Sequence, residues 1–214
     1  MIGSNPENGH PIAAMHIQRA LNRGAKLIVI DPIKTEFASR ADIHLQLEPE
    51  HNIPVINALL YTIIEEGLVN EEFVRDHTIG IEYVKEAVKD YAPEVVAKYT
   101  RLNPEDIRAA ARMYATTKPA VITHGMGVTH FNHGVGGVCD VSNLFLITGN
   151  ICELGTGDLP LRGQENVQGC CDMGVLPNIF PNLGSVTDPE QRAWFEKMWH
   201  LEPGFLNSKI GIHK

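Results

Sequence analysis

The sequence predicts an α/β fold, in which a Rossmann-like parallel sheet is flanked by helices and followed by a glycine-rich, irregular C-terminal arm. Two observations predict this class. Short apolar segments alternate with amphipathic helices, and the apolar segments end at polar or glycine-containing turns. Beyond Gly155 the chain becomes rich in glycine, proline and amide side chains, a composition typical of irregular structure.

The first unit is a helix followed by a strand. An amphipathic pattern predicts a helix from about Pro11 to Asn22, and Gly24 supplies the turn after it. The apolar strand 27–31 ends at Asp31, so this carboxylate lies where open parallel sheets bind ligands. There it can bond a ribose hydroxyl or a base edge. The alternative is a turn former or helix cap without a ligand.

The second unit begins at a short strand, 44–47, and continues through a polar turn into a helix from Pro54 to Glu66. Segments rich in Glu and Lys between residues 71 and 99 then predict three short helices that face solvent. We assign no chemistry to this helical excursion.

The last predicted strand leads into a second candidate binding turn. Asn103 caps a helix to Tyr114 whose apolar stripe belongs to the core. Strand 120–124 then runs into the glycine turn 125–127, which can expose backbone N–H groups to a phosphate. This turn is not a G-x-G-x-x-G motif, so an ordinary turn remains an alternative. An apolar helix follows at 135–147.

Charge and composition exclude some partners. The chain has 214 residues, 43% of them hydrophobic and 21% charged, with a formal charge of −8, which argues against nucleic acid and anionic membrane surfaces. Its apolar runs are shorter than the roughly 20 residues of a membrane span, and no export signal precedes them. We therefore expect a cytoplasmic protein without a membrane span.

The cysteines and histidines do not predict a metal site. Cys139, Cys152, Cys170 and Cys171 form no C-x-x-C pair and no iron–sulfur or zinc spacing. No H-x-x-x-H pair occurs on a clear helix. We predict no metal ligand and expect reduced thiols.

The arm contains the densest polar motif, PLRGQENVQGCCDMGVLPN at 160–178. Arg162 and Gln164 offer a fixed cation and an amide, and nearby glycines allow a ligand to approach the backbone. The pattern favours a polar, anionic ligand, although a surface loop with a paired arginine would look similar.

Four segments resemble the catalytic subunits of molybdopterin-dependent formate dehydrogenases. They are GSNPENGHP at 3–11, VIDPIKTEFASRADIHLQL at 29–47, GMGVTHFNHG at 125–134, and RGQENVQG with DMG at 162–174. They occur in the family's order and span nearly the whole chain. The resemblance implies a fold that binds molybdopterin guanine dinucleotide, two copies of which hold one molybdenum or tungsten.

The resemblance also implies which residues contact the cofactor. Asn52 stands where the family usually has Asp, and His130 stands where it usually has Gln. The implied cofactor-binding residues are Gly3, Ser4, Asn5, Glu7, Asp31, Pro32, Lys34, Asn52, Gly125, Met126, Gly127 and His130. In the arm, Arg162 matches the arginine that lies near the metal and orients formate, and Gln164 lines the same pocket.

Several parts of the family's catalytic subunit are not matched in this chain. These are the selenocysteine or cysteine metal ligand with its following histidine, the 4Fe-4S cluster region, and the domain that covers the second pterin. We therefore expect an interior fragment, inactive alone, whose partners are the rest of the catalytic subunit and an electron-transfer subunit. Two explanations for such a fragment are open: an upstream UGA codon for selenocysteine that was read as a stop, and ordinary truncation.

The expected domains are 1–155, which binds the dinucleotide and includes the helical excursion at about 71–115, and 156–214, which holds the active-site arm and a C-terminal helix. Two alternatives come from other classes: a stand-alone nucleotide-binding α/β module, and a non-catalytic scaffold subunit. Within the superfamily, nitrate reductase and formylmethanofuran dehydrogenase are the alternatives to formate dehydrogenase.

Overall fold

A computed structural model of the chain describes residues 1–164 and 166–209. The chain folds as two compact units, one from Met1 to Leu161 and one beginning at Arg162. The first unit contains the parallel strands, including one formed by the first residues of the predicted arm, and the second contains the arm from Arg162 onward. None of the helices in the described ranges is both long enough and apolar enough to cross a membrane.

The first unit is built on parallel strands joined through its second residue. The strands are β1 (Ile28–Ile30), β2 (Ile43–Leu45), β3 (Val121–His124) and β4 (Gly157–Pro160). Parallel pairs form between β1 and β2 and between β3 and β4. Ile2 forms parallel bridges to both Ile30 and His124. The strand order is therefore β2, β1, Ile2, β3, β4, and all carboxyl ends face one edge.

Helices cover both faces of this sheet. The helices of the first unit are α1 (Pro6–Gly9), α2 (Pro11–Leu21), α3 (Glu36–Arg40), α4 (Asn52–Glu65), α5 (Glu71–His77), α6 (Ile81–Val88), α7 (Pro93–Thr100), α8 (Pro104–Thr116), α9 (Met126–Thr129) and α10 (Gly134–Thr148). Val29 packs against α2 and α3, whereas Ile30 belongs to the larger core formed with α4, α8 and α10. This alternation along β1 makes a helix–sheet–helix sandwich.

Helix ends show local capping contacts, including the predicted cap at Asn103. Asn103 accepts a hydrogen bond from the Glu105 N–H at 3.1 Å, and Thr35 accepts one from the Ala38 N–H at 3.1 Å. Gly149 ends α10 with φ +67°, a conformation that glycine adopts without steric cost. Local capping chemistry therefore sets these boundaries.

The sequence predicted that the helical excursion faces solvent, but the structure shows that its helices also contribute to the core. Val74, Val88 and Val96, one from each of α5, α6 and α7, are buried in the larger core. The charged residues cover only the outer surface of these short helices, and at least one apolar residue per helix packs inward. The Glu- and Lys-rich composition of the segment gave no indication of these buried residues.

The second unit has its own small core and more helix than the predicted irregular arm. It contains α11 (Val167–Asp172), a 3-10 turn (Pro181–Leu183) and α12 (Pro189–Met198). Phe180 and Phe195 lie with ring centroids 4.5 Å apart, and Trp199 packs 4.8 Å from Phe195. This aromatic cluster ties α12 to the segment before it.

Asp140 is a half-buried carboxylate on α10. Burial raises the pKa of Asp140 to about 6, above the ordinary value of about 4. The folded state therefore binds this proton more tightly than the unfolded state does. Ionisation of Asp140 costs stability above about pH 6, and the cost disappears as the pH falls toward about 4.

Asp140→Asn is expected to raise the free energy of unfolding by about 1–2 kcal/mol at pH 7.5, after allowance for partial solvent exposure. The gain should vanish near pH 4, where the wild-type carboxyl is protonated in both states. Urea unfolding at both pH values measures it. The exposed Asp90→Asn is the control and should change little. An equal gain at both pH values would contradict the prediction.

Candidate functional site

Predicted binding residues gather at the carboxyl edge of the sheet. We use this term for Gly3–Asn5 after Ile2, Asp31–Lys34 after β1, Asn52 at the start of α4, and Gly125–His130 after β3. Parallel strands bring the first, second and fourth segments to one edge because each leaves its strand in the same direction. Asn52 reaches the same edge from the turn that follows β2.

Two glycine segments pack backbone against backbone at this edge. The Gly127 N–H donates to the Gly3 carbonyl at 3.1 Å, and the Gly125 N–H donates to the Ile2 carbonyl at 3.0 Å. A Cβ on Gly127 would lie 2.7 Å from the Gly3 Cα, and a Cβ on Gly3 would lie 2.8 Å from the Gly127 Cα. Gly3 also has φ +53°. Only glycine allows this approach.

Asn52 holds the glycine turn from the other side. Its Nδ2 donates to the Gly127 carbonyl at 2.7 Å, and its side chain is buried. The Asn52 Oδ1 is buried and accepts no hydrogen bond within the described residues. Asn52 therefore positions the turn and keeps one acceptor available for a donor of a ligand.

The Gly3–Asn5 segment offers a similar acceptor. Ser4 is buried, and the buried Asn5 Oδ1 lacks a hydrogen-bond donor among residues 1–164 and 166–209. An orphaned buried acceptor costs free energy unless a ligand or water donates to it. The Asn5 and Asn52 oxygens are therefore two buried acceptors at the carboxyl edge that a molecule with hydrogen-bond donors could satisfy.

Asp31 has features of both alternatives that the sequence left open, a turn-forming residue and a carboxylate that binds a ligand. Its Oδ1 accepts the Ile33 N–H at 2.8 Å, which is a turn-forming contact. Its side chain is nevertheless buried, and burial raises the pKa of Asp31, although the Ile33 N–H and the nearby His44 oppose the shift. Lys34 lies exposed three residues later. A buried carboxylate with a cation close in sequence suits a polar, partly anionic ligand.

Glu7 has a structural contact in addition to its predicted role. Its Oε2 lies 3.4 Å from the Phe37 N–H, which donates to it from the first turn of α3. Burial raises the pKa of Glu7, and the Phe37 hydrogen bond opposes that shift. The carboxylate therefore joins the segment after Ile2 to the segment after β1.

Met126 and His130 lie at the two ends of α9. Met126 is 46% exposed, and His130 is also exposed. Gly125, Met126 and Gly127 come directly after β3, as predicted, so their backbone lies at the carboxyl edge. The exposed Met126 side chain is available for contact with a bound molecule.

Arg162 and Gln164 lie in the second unit, and both side chains are exposed. Nearby, a Cβ on Gly169 would lie 2.5 Å from the Asn166 Oδ1. The Asn166 side chain therefore lies against position 169 and would have to move to admit a Cβ there.

A buried ionisable pair in the strands was not predicted from the sequence. The His124 Nδ1 lies 3.0 Å from the Asp158 Oδ1, and both side chains are largely buried. A histidine ending an apolar strand and an aspartate between Gly157 and Leu159 were the available signals. Neither signal indicates the other residue, because 34 positions separate them.

Comparisons with known proteins agree on one family. Residues 1–191 match the family described as molybdopterin oxidoreductase. The chain is 45% identical over 212 residues to the F420-dependent formate dehydrogenase subunit alpha of Methanocaldococcus jannaschii, covering 99% of this chain and 31% of that protein. It is 45% identical over 202 residues to formate dehydrogenase H of Escherichia coli, covering 94% and 28%. The chain thus spans about 30% of these relatives.

The chain also matches proteins at lower sequence identity. A nitrate reductase of Synechocystis is 29% identical, with 99% of this chain and 30% of that protein covered. Among solved structures, acetylene hydratase from Pelobacter acetylenicus superposes with a TM-score of 0.68 at 32% identity, covering 72% of this chain and 21% of that one. The structural match supports the α/β arrangement of strands and helices described above.

Proposed function

The chain belongs to the molybdopterin oxidoreductase family, and from this premise we propose that it is the dinucleotide-binding part of a formate dehydrogenase catalytic subunit. The family implies a molybdopterin cofactor. We propose its guanine dinucleotide form, with molybdenum or tungsten. The 45% identity to two proteins named as formate dehydrogenases, against 29% to the nitrate reductase, favours formate.

One structural observation carries the cofactor assignment. At the carboxyl edge, Asn5 and Asn52 keep buried acceptor oxygens without donors in the described residues, beside the closely packed Gly3 and Gly127. Guanine N–H groups and ribose hydroxyls are donors of the kind that such oxygens accept. Asp31, a further buried oxygen acceptor, lies at the end of the neighbouring strand.

We assign three roles to the edge residues. The segment after Ile2 would contribute backbone and short polar side chains to the dinucleotide, strand-end polar residues would hold the guanosine, and the turn after β3 would add further contacts. The proposed residues are, in that order, Gly3, Ser4, Asn5 and Glu7; Asp31, Pro32, Lys34 and Asn52; and Gly125, Met126, Gly127 and His130.

The arm would act on the substrate. Arg162 carries a planar, permanently charged guanidinium that can donate two parallel hydrogen bonds to formate, and Gln164 can add a third donor. When bound, the cofactor would supply the metal centre that accepts the two electrons of formate, and a nearby base would accept the proton. Arg162 holds the carboxylate so that its C–H bond points in one direction, and its charge retains the anion at the site until the carbon is oxidised.

Other parts of the enzyme complete the site in this proposal. The selenocysteine or cysteine ligand to the metal and a 4Fe-4S cluster belong to the remainder of the catalytic subunit. The relative from M. jannaschii is named as an alpha subunit, which supports an electron-transfer partner subunit. The 214-residue chain alone is proposed to bind nucleotide without oxidising formate.

A titration of the 214-residue chain with guanosine diphosphate tests the nucleotide site. We expect calorimetry to show binding, and Asp31→Asn to weaken it by about 10- to 30-fold, because a charge-assisted hydrogen bond contributes about 1.5–2 kcal/mol. Asp42→Asn is the control, since Asp42 accepts from the Leu27 N–H at the opposite end of β1. Equal affinity of all three proteins would contradict the role of Asp31, and equal affinity for adenosine diphosphate would contradict the guanine assignment.

A further inference from the structure

A buried histidine–aspartate pair connects β3 to β4. His124 is 4% exposed, and the Asp158 side chain is 15% exposed, with the Nδ1 and Oδ1 atoms 3.0 Å apart. In the register of the two strands, Ile122 lies beside Asp158. His124 and Ile122 are two residues apart, so they project from the same face of the sheet as Asp158.

This face is otherwise mainly apolar. Ile122 belongs to the larger core together with Leu144 of α10. The polar groups nearby are Tyr114, Thr148 and Asn150. Burial raises the pKa of Tyr114 to about 12, and the charge of Asp158 adds to this shift. The Thr148 and Asn150 side chains oppose the shift. A buried pair of ionisable side chains in such surroundings gains little net stability over apolar side chains of similar size. Its presence calls for a role other than stability.

Strand β4, which carries Asp158, has few features that would stabilise its pairing by themselves. Gly157 has φ +106°, and Pro160 has no N–H to donate to a neighbouring strand. Strand β4 also contains only four residues, and Leu159 is 54% exposed. Backbone pairing with β3 is therefore expected to hold β4 in place only weakly.

His124 contacts β4 on both sides of Pro160. Its imidazole bonds Asp158, and its carbonyl accepts the Leu161 N–H at 2.7 Å. The residue after His124 is Gly125, where the glycine turn begins, and the residue after Leu161 is Arg162. One histidine thus connects the points at which the turn and the arm leave the strands.

We propose that His124 and Asp158 are positioning residues, which fix Leu161, the residue that precedes Arg162, relative to the start of the glycine turn. This inference rests on the proposed function, in which Arg162 orients formate. The pair acts through the backbone of β3 and β4, and it contacts neither substrate nor cofactor. Its removal loosens Leu161 while the pairing of β1 with β2 persists.

Amide hydrogen exchange on the 214-residue chain tests the positioning step directly. In the double variant His124→Leu/Asp158→Leu, apolar side chains replace both members and preserve the core. We expect protection of the Leu161 amide to fall at least about tenfold. The Asp31 amide, which donates to the Leu45 carbonyl, is the internal control and should change less than about twofold. Asp158→Asn, which keeps the shape of the side chain, should lower Leu161 protection by about threefold or more.

Two exchange results would overturn the proposal. Unchanged protection of Leu161 in both variants would show that backbone pairing suffices to hold β4. An equal loss at Leu161 and Asp31 would show a general loss of stability in place of local positioning.

A kinetic measurement separates positioning from stability. We would place residues 1–209 in formate dehydrogenase H of E. coli in exchange for the matching segment, and compare the hybrid with its Asp158→Asn variant. We expect KM for formate to rise by about tenfold, with kcat per bound molybdenum changed less than about twofold. An unchanged KM would contradict positioning. If the unmutated hybrid does not oxidise formate, the proposed function fails, whereas the exchange result still decides whether the pair fixes β4.

Discussion

Arg162→Lys is expected to lower kcat/KM for formate by about 100-fold in the hybrid enzyme. Lysine keeps the positive charge but cannot donate two parallel hydrogen bonds to one carboxylate. Losing one charge-assisted hydrogen bond costs on the order of 2–3 kcal/mol of transition-state stabilisation, and each 1.4 kcal/mol corresponds to a factor of ten. Steady-state assays with a dye acceptor, normalised to bound molybdenum, measure this loss. Most of it should appear in KM if the guanidinium binds formate before and during the reaction equally well.

The matched control is Arg75→Lys. Arg75 also forms a two-point contact with a carboxylate, through its Nε and Nη2 atoms to Asp76, but it lies exposed on α5. Exposed pairs of this kind contribute little to stability, so this variant should leave both kinetic constants unchanged. Equal kinetics for Arg162→Lys and the unmutated hybrid would remove Arg162 from the proposed mechanism.

Much of the fold could be predicted from local sequence signals. The helices α4, α8 and α10 combine apolar periodicity with recognisable starts and ends, such as Asn103 and Gly149, and the structure confirms them within two residues. Boundaries of this kind depend on chemistry within one turn of the chain. The bounds of β1 were predicted equally well, because an apolar segment followed by Asp-Pro ends a buried strand.

Other elements depend on contacts that no local pattern contains. Strand β4 consists of Gly-Asp-Leu-Pro, most of whose residues disfavour strands, and it pairs with β3, a strand distant in sequence, to which the His124–Asp158 contact also joins it. Ile2 completes the sheet as one residue between two strands, too short a segment for periodicity to reveal. In both cases tertiary contacts override local propensity.

The same distinction applies to the candidate site. That Asp31 and the glycine turn lie at one edge follows from the rule for parallel strands, so the sequence could predict it. That Asn52 bonds the Gly127 carbonyl could not be predicted, because 75 positions separate the two residues. The resemblance of the sequence motifs implied that Asn52 and Gly127 contact a ligand. Only the structure shows that these two residues also bond to each other.

Gly127→Ala is expected to destabilise the carboxyl edge strongly. The added Cβ would lie 2.7 Å from the Gly3 Cα and 2.8 Å from the Gly3 carbonyl oxygen, and neither is the movable end of a side chain. Relief of the clash requires the segments after Ile2 and β3 to separate, which also weakens the Gly127 hydrogen bonds to Gly3 and Asn52. Overpacking of this kind costs about 3 kcal/mol.

The expected result is a fall in Tm of roughly 10 °C for the 214-residue chain, together with loss of guanosine diphosphate binding. Gly136→Ala is the matched control, because its Cβ would meet only the Ile53 Cδ1 at 3.9 Å. Since Gly136 lies in α10, alanine there should raise stability by about 0.5–1 kcal/mol. Calorimetric melting of both variants measures the difference. If Gly127→Ala melts no lower than Gly136→Ala, the close backbone contact between Gly3 and Gly127 does not exist in solution.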